Sequence, residues 1–362
     1  MLTLLATLPL VLGLAAAGYL LIVYPSRPHV GSGHLVHFEL PPDASPELLA
    51  RRLEDAGLVD RSRLFAIYLR LVTRGKELRE GELAMRDNLS PAEVARRVLV
   101  HGAAPVVVTL PEGENRFDIA RRLEAQGVCD ADDFVAVTER RSFLDAHEIS
   151  ADSAEGYLFP DTYTLRQEMS AATVAGRMIQ TFRRRMLLLF EHHAAGMARL
   201  SEQLGFDLQD VVTLASIVEE EAAASEERPV IAGVFLNRLR SDTFRPRHRL
   251  QADPTVSYGC LREPTRAASC AGFDGRHITR AMLSDGSNRY NTYRHPGLPP
   301  GPVTNPGLES LEAVLESAHH DYLYFVARGQ GRHSFSADLT SHNARVEEYL
   351  ELSHPARHDG GR

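Results

Sequence analysis

The sequence predicts an α+β protein in three parts: an apolar N-terminal helix, a small α+β region made of repeated units, and a larger mixed α+β domain. Three observations carry this. The first 24 residues hold no charged side chain. A strand–turn–helix pattern beginning at Val36 returns seventy positions later at Val106. From Glu155 the texture changes to long helical periodicities separated by aromatic strands and proline-rich loops.

Composition sets the outer bounds. The chain has 362 residues, 44% hydrophobic and 24% charged, which suits a globular protein of two or three domains and excludes disorder and collagen-like repeats. A net charge of −8 without a long basic block makes nucleic acid a poor partner, because phosphate affinity needs clustered cations. Lys76 is the only lysine, in a polar Arg74-Gly75-Lys76-Glu77 run that reads as a solvated turn. Schiff-base and P-loop chemistry are therefore not expected. There is no tryptophan.

Residues 1–24 match the length of a membrane-spanning helix, since about 20 apolar residues cross a hydrocarbon core of about 30 Å. A cleaved signal peptide is the alternative, with Ala15-Ala16-Ala17 as the cleavage site, but the usual basic residues before the apolar core are missing. A retained membrane helix is the expectation. Residues 354–362 are polar and glycine-rich and read as a flexible tail.

Cys260 and Cys270 either bridge or remain as two thiols in an insert, and Cys129 stands apart. No CxxC occurs, and His192-His193 and His319-His320 are adjacent pairs that diverge on a helix, so no metal site and no cofactor are expected.

In the repeat, the strand ending at Leu40-Pro41 overlies the one ending at Leu110-Pro111, and Ala50-Arg51-Arg52-Leu53-Glu54 overlies Ala120-Arg121-Arg122-Leu123-Glu124. A related run begins at Ser90-Pro91. Ser45 and Ser90 suit N-caps, Pro46 and Pro91 suit the first helical turn, and Gly57, Gly102 and Gly127 end the helices. Such units serve either as a glycan-binding module or as a spacer, and the paired arginines read as a solvated helix face.

The second half carries the chemistry. Glu155-Gly156-Tyr157-Leu158-Phe159-Pro160-Asp161-Thr162-Tyr163 reads as a loop entering a strand, followed by a helix over 171–196. A further helix starts near Asp207 with Val211, Leu214, Ile217 and Val218 as its apolar stripe. Glu219 continues the face of Val212, Ala215 and Ser216, whose small side chains leave room for a ligand beside a partly buried carboxylate. Partial burial raises such a group's proton affinity and suits a general acid. Glu220 and Glu221 read as solvent-exposed. Pro229 opens another helix through Asn237, Asp253-Pro254 is a turn or helix start, Tyr322-Leu323-Tyr324-Phe325 and His333-Ser334-Phe335 form a hairpin, and a last helix begins at Ser341. Asn237, Gln251, Thr255, Tyr290 and Asn291 set amide and hydroxyl groups beside aromatics, as carbohydrate sites do; taken singly, turn and cap chemistry explains each.

These motifs resemble the endolytic murein transglycosylases, the YceG-like family. The resemblance rests on the Glu155–Tyr163 run, Leu214-Ala215-Ser216-Ile217-Val218-Glu219, Val234-Phe235-Leu236-Asn237-Arg238, Arg249-Leu250-Gln251-Ala252-Asp253-Pro254-Thr255, Tyr290-Asn291-Thr292-Tyr293, Gly297-Leu298-Pro299-Pro300 and Ser341-His342-Asn343. It implies a single-pass membrane helix at 1–24, a LysM-like region over 34–150, and a catalytic domain over 151–353 on the outer side of the cytoplasmic membrane. The implied reaction is internal cleavage of peptidoglycan glycan strands between N-acetylmuramic acid and N-acetylglucosamine, leaving 1,6-anhydro ends.

Glu219 is then the catalytic residue, acting as acid and then base. Asn237, Gln251, Asp253, Thr255, Tyr290 and Asn291 would line the groove. Peptidoglycan synthases or division proteins are the partners the family suggests. One departure is an insert over 260–288, where a Cys260–Cys270 bridge is expected and where one rim of the groove would be reshaped.

Two other readings compete. One is a muramidase pairing Glu219 with Asp253 or Glu155; the other is a non-catalytic scaffold on peptidoglycan. Without indoles, Tyr157, Phe159, Tyr163, Tyr290 and Tyr293 would supply the apolar faces that stack on sugars.

Overall fold

The structure is a computed structural model that describes residue 15 and residues 17–40, 45–73, 81–102, 105–167 and 169–353. The solvated turn at Lys76, the tail at 354–362 and most of the apolar N-terminal run lie outside the described residues. Among the described residues no helix is long and apolar enough to cross a membrane. The described end of the run is helical from Tyr19 to Ser26, and Tyr24, the last residue of the expected span, is buried beside Tyr68.

The chain divides into two compact units. The first comprises residues 1–107, 126–128 and 164–169, and the second comprises 108–125, 129–163 and 170–362. The first contains β1 (Leu35–Leu40), α1 (Pro46–Asp55), α2 (Ser62–Thr73), β2 (Gly81–Arg86) and α3 (Pro91–Gly102). Strand β1 pairs antiparallel with β2 in the register Leu35↔Arg86 to Leu40↔Gly81. Period-two alternation turns Phe38 and Leu40 inward, where they meet Leu49, Leu53, Phe65, Leu69, Val94 and Val98. Each of these side chains contributes about 1.5–3 kcal/mol by leaving water.

The caps follow the sequence. Ser45 accepts a hydrogen bond from Leu48 N at 3.2 Å with Pro46 at the first helical position. Ser90 and Glu93 satisfy each other's backbone N–H groups. Gly57 takes φ 70°, the left-handed conformation that ends α1 without a Cβ penalty.

The second copy of the repeat uses the same order: β3 (Pro105–Thr109), α4 (Arg116–Ala125) and α5 (Ala131–Glu139), followed by α6 (Arg141–Ala146) and β4 (Thr162–Arg166), which pairs with β3. From Val108 onward this copy belongs largely to the second compact unit. Long-range polar contacts explain this. Leu110 N donates to Asp161 O at 3.0 Å, Asn305 Nδ2 donates to Glu114 O at 2.9 Å, and Arg116 N donates to both oxygens of Glu155 at 3.1 Å.

The remaining elements of the second unit are α7 (Ala171–His192), α8 (Ala194–Leu204), α9 (Leu208–Glu221), α10 (Arg228–Arg240), α11 (Asp253–Arg262), α12 (Arg280–Ser284), α13 (Leu308–Leu315), β5 (Tyr324–Gly329), β6 (Arg332–Ser336) and α14 (Leu339–Ser353). The helix expected over 171–196 breaks at His193, whose ring lies 3.4 Å from Glu312 and 3.3 Å from Glu316. The break lets α8 approach the end of α13, where a Cβ on Gly196 would stand 2.3 Å from Leu315 O. Helix α9 lies at the centre of this unit, with every residue from Val211 to Val218 buried.

The insert is a small core of its own. Cys260 and Cys270 are bridged, with Cα atoms 5.1 Å apart, and pack with Val256, Ala267 and Met282. Closing a loop of this size removes about 3 kcal/mol of unfolded-state freedom. Replacing both cysteines with serine is therefore expected to lower unfolding free energy by about 2–3 kcal/mol in a denaturant titration.

Candidate active site

The site grows from the end of α9. Asp207 caps the helix by accepting from Asp210 N at 3.1 Å, while Asp210 accepts from Asp207 N at 3.0 Å. The small residues along Val212, Ala215 and Ser216 do not leave room for a ligand, contrary to expectation. The 302–304 loop fills that face: Val303 N donates to Ser216 Oγ at 3.0 Å and Thr304 Oγ1 donates to Ser216 O at 3.2 Å. Gly156, at φ 84°, completes the packing, because a Cβ there would lie 2.5 Å from Pro302.

Only beyond Val218 does the helix meet open space. Glu219, Glu220 and Glu221 line a cavity of about 800 Å³, together with Pro111–Glu114 and Asp118, Ala222 and Ala223, the β5–β6 hairpin tip and Tyr349. A second cavity of about 580 Å³ is lined by Asn115, Asp253, Pro254, Ser257, Tyr258, the insert residues 275–278 and Thr304. The two share Gly113, Asp118 and Glu220, so they form one groove that continues past the Glu219–Glu221 end of α9.

Glu219 is held firmly. Its side chain is 6% exposed; Arg228 Nη2 donates to Oε1 at 2.9 Å and Gly307 N donates to Oε2 at 3.0 Å. Arg228 is itself fixed by Glu309 at 2.9 Å and Ser310 Oγ at 3.0 Å. Gly307 sits where any side chain would strike Glu112, since a Cβ there would be 1.9 Å from that carboxylate.

Burial and the charge of Glu219 push the Glu112 carboxyl above its usual range. Arg228, Gly307 and Glu112 were not expected in the site. All three meet Glu219 only through the fold, and the sole local signal was the Pro-Glu-Gly turn after β3.

Glu220 is exposed, as expected, whereas Glu221 is half-buried. Glu220 has surface open to the groove, but the walls around it and the charges of Glu219 and Asp118 push its pKa up to about 7. Burial, followed by the charge of Asp253, pushes Glu221 up to about 7, with Arg238 opposing. A carboxyl whose folded pKa lies above its unfolded value stabilises fully below about pH 4.5 and loses that contribution as pH rises through 7. Glu220→Gln is therefore expected to raise the melting temperature at pH 8 by about 2 °C and leave it unchanged at pH 4.

The six residues expected to bind substrate divide sharply. Asp253 faces the groove and accepts from Tyr293 Oη at 2.6 Å. The other five line neither cavity. Asn237 donates to His320 O at 2.7 Å and Tyr322 O at 3.1 Å. Gln251 is a left-handed corner, φ 55°, whose N–H donates to Thr292 O. Thr255, fully buried, donates to Ala252 O at 2.6 Å, and Asn291, also fully buried, donates to the carbonyls of Met282, Leu283 and Asp285. Tyr290 is 3% exposed and packs on Tyr258. Asn237 and Gln251 are half-buried, while Thr255, Tyr290 and Asn291 are buried.

Tyr157, Phe159 and Tyr163, expected as sugar platforms, are core residues. Glu155, considered as a second carboxylate, is 1% exposed and locked to Arg116 and Asn305. The insert residues Gly275–Ile278 do line the groove, on the side of Asp253.

A groove lined by several carboxylates suits acid–base chemistry. A family model described as the YceG-like family matches residues 38–348. The chain belongs to the YceG-like family.

It is 34% identical over 199 residues to the endolytic murein transglycosylase of Bacillus subtilis, covering 54% of this chain and 48% of that protein. It is 26% identical over 340 residues to the endolytic murein transglycosylase of Streptococcus pneumoniae strain R6, covering 86% of this chain and 58% of that protein. The chain thus spans about half the length of the curated relatives it matches. A solved YceG-like protein from Listeria monocytogenes superimposes with a TM-score of 0.55 at 28% identity, over 87% of this chain and 100% of that one.

Proposed function

We propose that the protein is an endolytic peptidoglycan lytic transglycosylase whose general acid is Glu219. The observation that carries this reading is a clamped carboxylate, Glu219, on an open cavity of about 800 Å³ bordered by further carboxylates. Family membership and the names of the curated relatives support the same substrate class.

In the proposed reaction, protonated Glu219 gives its proton to the oxygen linking N-acetylmuramic acid to N-acetylglucosamine. The muramic acid 6-hydroxyl gives its proton to a base on the groove and attacks C1 of its own ring, the bond from C1 to the N-acetylglucosamine oxygen breaks, and the muramic acid is left as a 1,6-anhydro end. Because the nucleophile belongs to the substrate, no second carboxylate needs to attack or to activate water. Arg228 keeps Glu309 and Ser310 when Glu219 takes its proton, so the cation stays paired.

Residues 1–24 are proposed to anchor the chain in the cytoplasmic membrane, with the groove on its outer face and the LysM-like region between. Cell-wall synthases or division proteins are the proposed partners. Incubation of the purified protein with sacculi is expected to release fragments ending in 1,6-anhydro-muramic acid, read by mass spectrometry. Fragments ending only in reducing sugars would instead mean a muramidase, for which Asp253 and Glu112 are the accessible second carboxylates, and no fragments would mean a scaffold.

A further inference from the structure

His333, on β6, lines the same cavity as Glu219 and belongs to none of the roles assigned above. Its ring is half-buried against Phe325, and its Nδ1 lies 2.8 Å from Oε2 of Glu227. The backbone N–H of His333 also donates to both oxygens of Glu227 at 3.1 Å, and Glu227 is 7% exposed. A carboxylate bonded at Nδ1 fixes the tautomer with hydrogen on that nitrogen and leaves Nε2 with a free lone pair. Nε2 has no partner among the described residues.

The hairpin is pinned beside the catalytic helix. Arg332 pairs with Glu226, and a Cβ on Gly331 would come within 3.3 Å of Ala223, four residues past Glu219. Glu219, in contrast, has both carboxylate oxygens engaged, one by Arg228 and one by Gly307 N.

We infer that His333, oriented by Glu227, is the base that takes the proton from the attacking 6-hydroxyl, leaving Glu219 as the acid only. This rests on the lytic transglycosylase reading and divides its acid and base roles. The O6–H bond breaks with its proton passing to Nε2, and the O6–C1 bond forms. The C1–O4 bond breaks with its electron pair on O4, and O4 receives the proton of Glu219. The imidazolium is then paired with Glu227, and its proton returns to Glu219 through groove water before the next cycle.

The test uses the full chain with sacculi and reads the release of anhydro ends from four variants. His333→Asn keeps an N–H donor toward Glu227 and is expected to fold as the parent does, yet to be slower by about 100-fold. His333→Ala is expected to be equally slow and to recover part of its rate when imidazole is added. Glu227→Gln retains the imidazole and is expected to lose less than His333→Ala. A His333→Asn variant within about twofold of the parent rate, or a His333→Ala variant that imidazole does not rescue, overturns the inference. Glu219→Gln separates the two claims: if it still cleaves, the parent reading fails, and if it is inactive while His333→Asn is not, only the role of His333 fails.

Discussion

Glu219→Gln is expected to fold like the parent protein and to release anhydro ends at a rate lower by on the order of 10³-fold. The side chain is isosteric, and its amide oxygen can still accept from Gly307 N. Arg228 keeps its bonds to Glu309 and Ser310, so no buried cation is left alone. What disappears is the proton for the leaving oxygen. Melting temperature and rate measured on the same preparation separate the two effects. Parent-level cleavage by the variant would remove Glu219 from the mechanism.

The largest effect on stability is expected from Arg116→Ala. The Arg116 guanidinium is 1% exposed; Nη2 donates to Glu139 at 2.5 Å, Nε lies 3.8 Å from Glu155, and the group stacks 4.4 Å above Phe117. Removing it leaves the carboxylate of Glu155 buried without its cation, at a cost of about 3–5 kcal/mol. Burial already pushes Glu155 up to about 7, and Arg116 is the largest opposing influence, so the variant raises that pKa further. A raised carboxyl loses its stabilising contribution as pH increases, so the deficit should be small near pH 4.5 and largest at pH 8. Denaturant unfolding at the two pH values measures it. An equal deficit at both would mean that packing, rather than the buried charge, sets the cost.

The parts of the fold that were legible in the sequence are those decided by neighbours along the chain. Ser45 with Pro46, Ser90 with Pro91 and the start near Asp207 mark helix starts that the structure reproduces. The seventy-residue repeat predicts a strand, a turn and a helix in each copy, and the structure adds a second helix to both. The repeat did not give the division into units, because Leu110, Glu114 and Arg116 are claimed by Asp161, Asn305 and Glu155, far along the chain.

The site was legible to a similar degree. Glu219 stands out at the end of an apolar helix, but Arg228, Gly307 and Glu112 reach it only through the fold. Asn237, Thr255 and Asn291 were attractive as sugar ligands because amides and hydroxyls bind sugars. The same groups satisfy buried carbonyls, and that is how this protein uses them. The missing tryptophan is not replaced by Tyr157, Phe159 or Tyr163, which lie in the core.

The central claim is cleavage by intramolecular transfer rather than by water, with Glu219 as the acid. The most direct measurement is digestion of sacculi in water enriched with heavy oxygen, followed by mass spectrometry of the fragment ends. The account predicts unlabelled ends, one water lighter than hydrolytic products, and none from Glu219→Gln. Heavy oxygen incorporated at new reducing ends would contradict it.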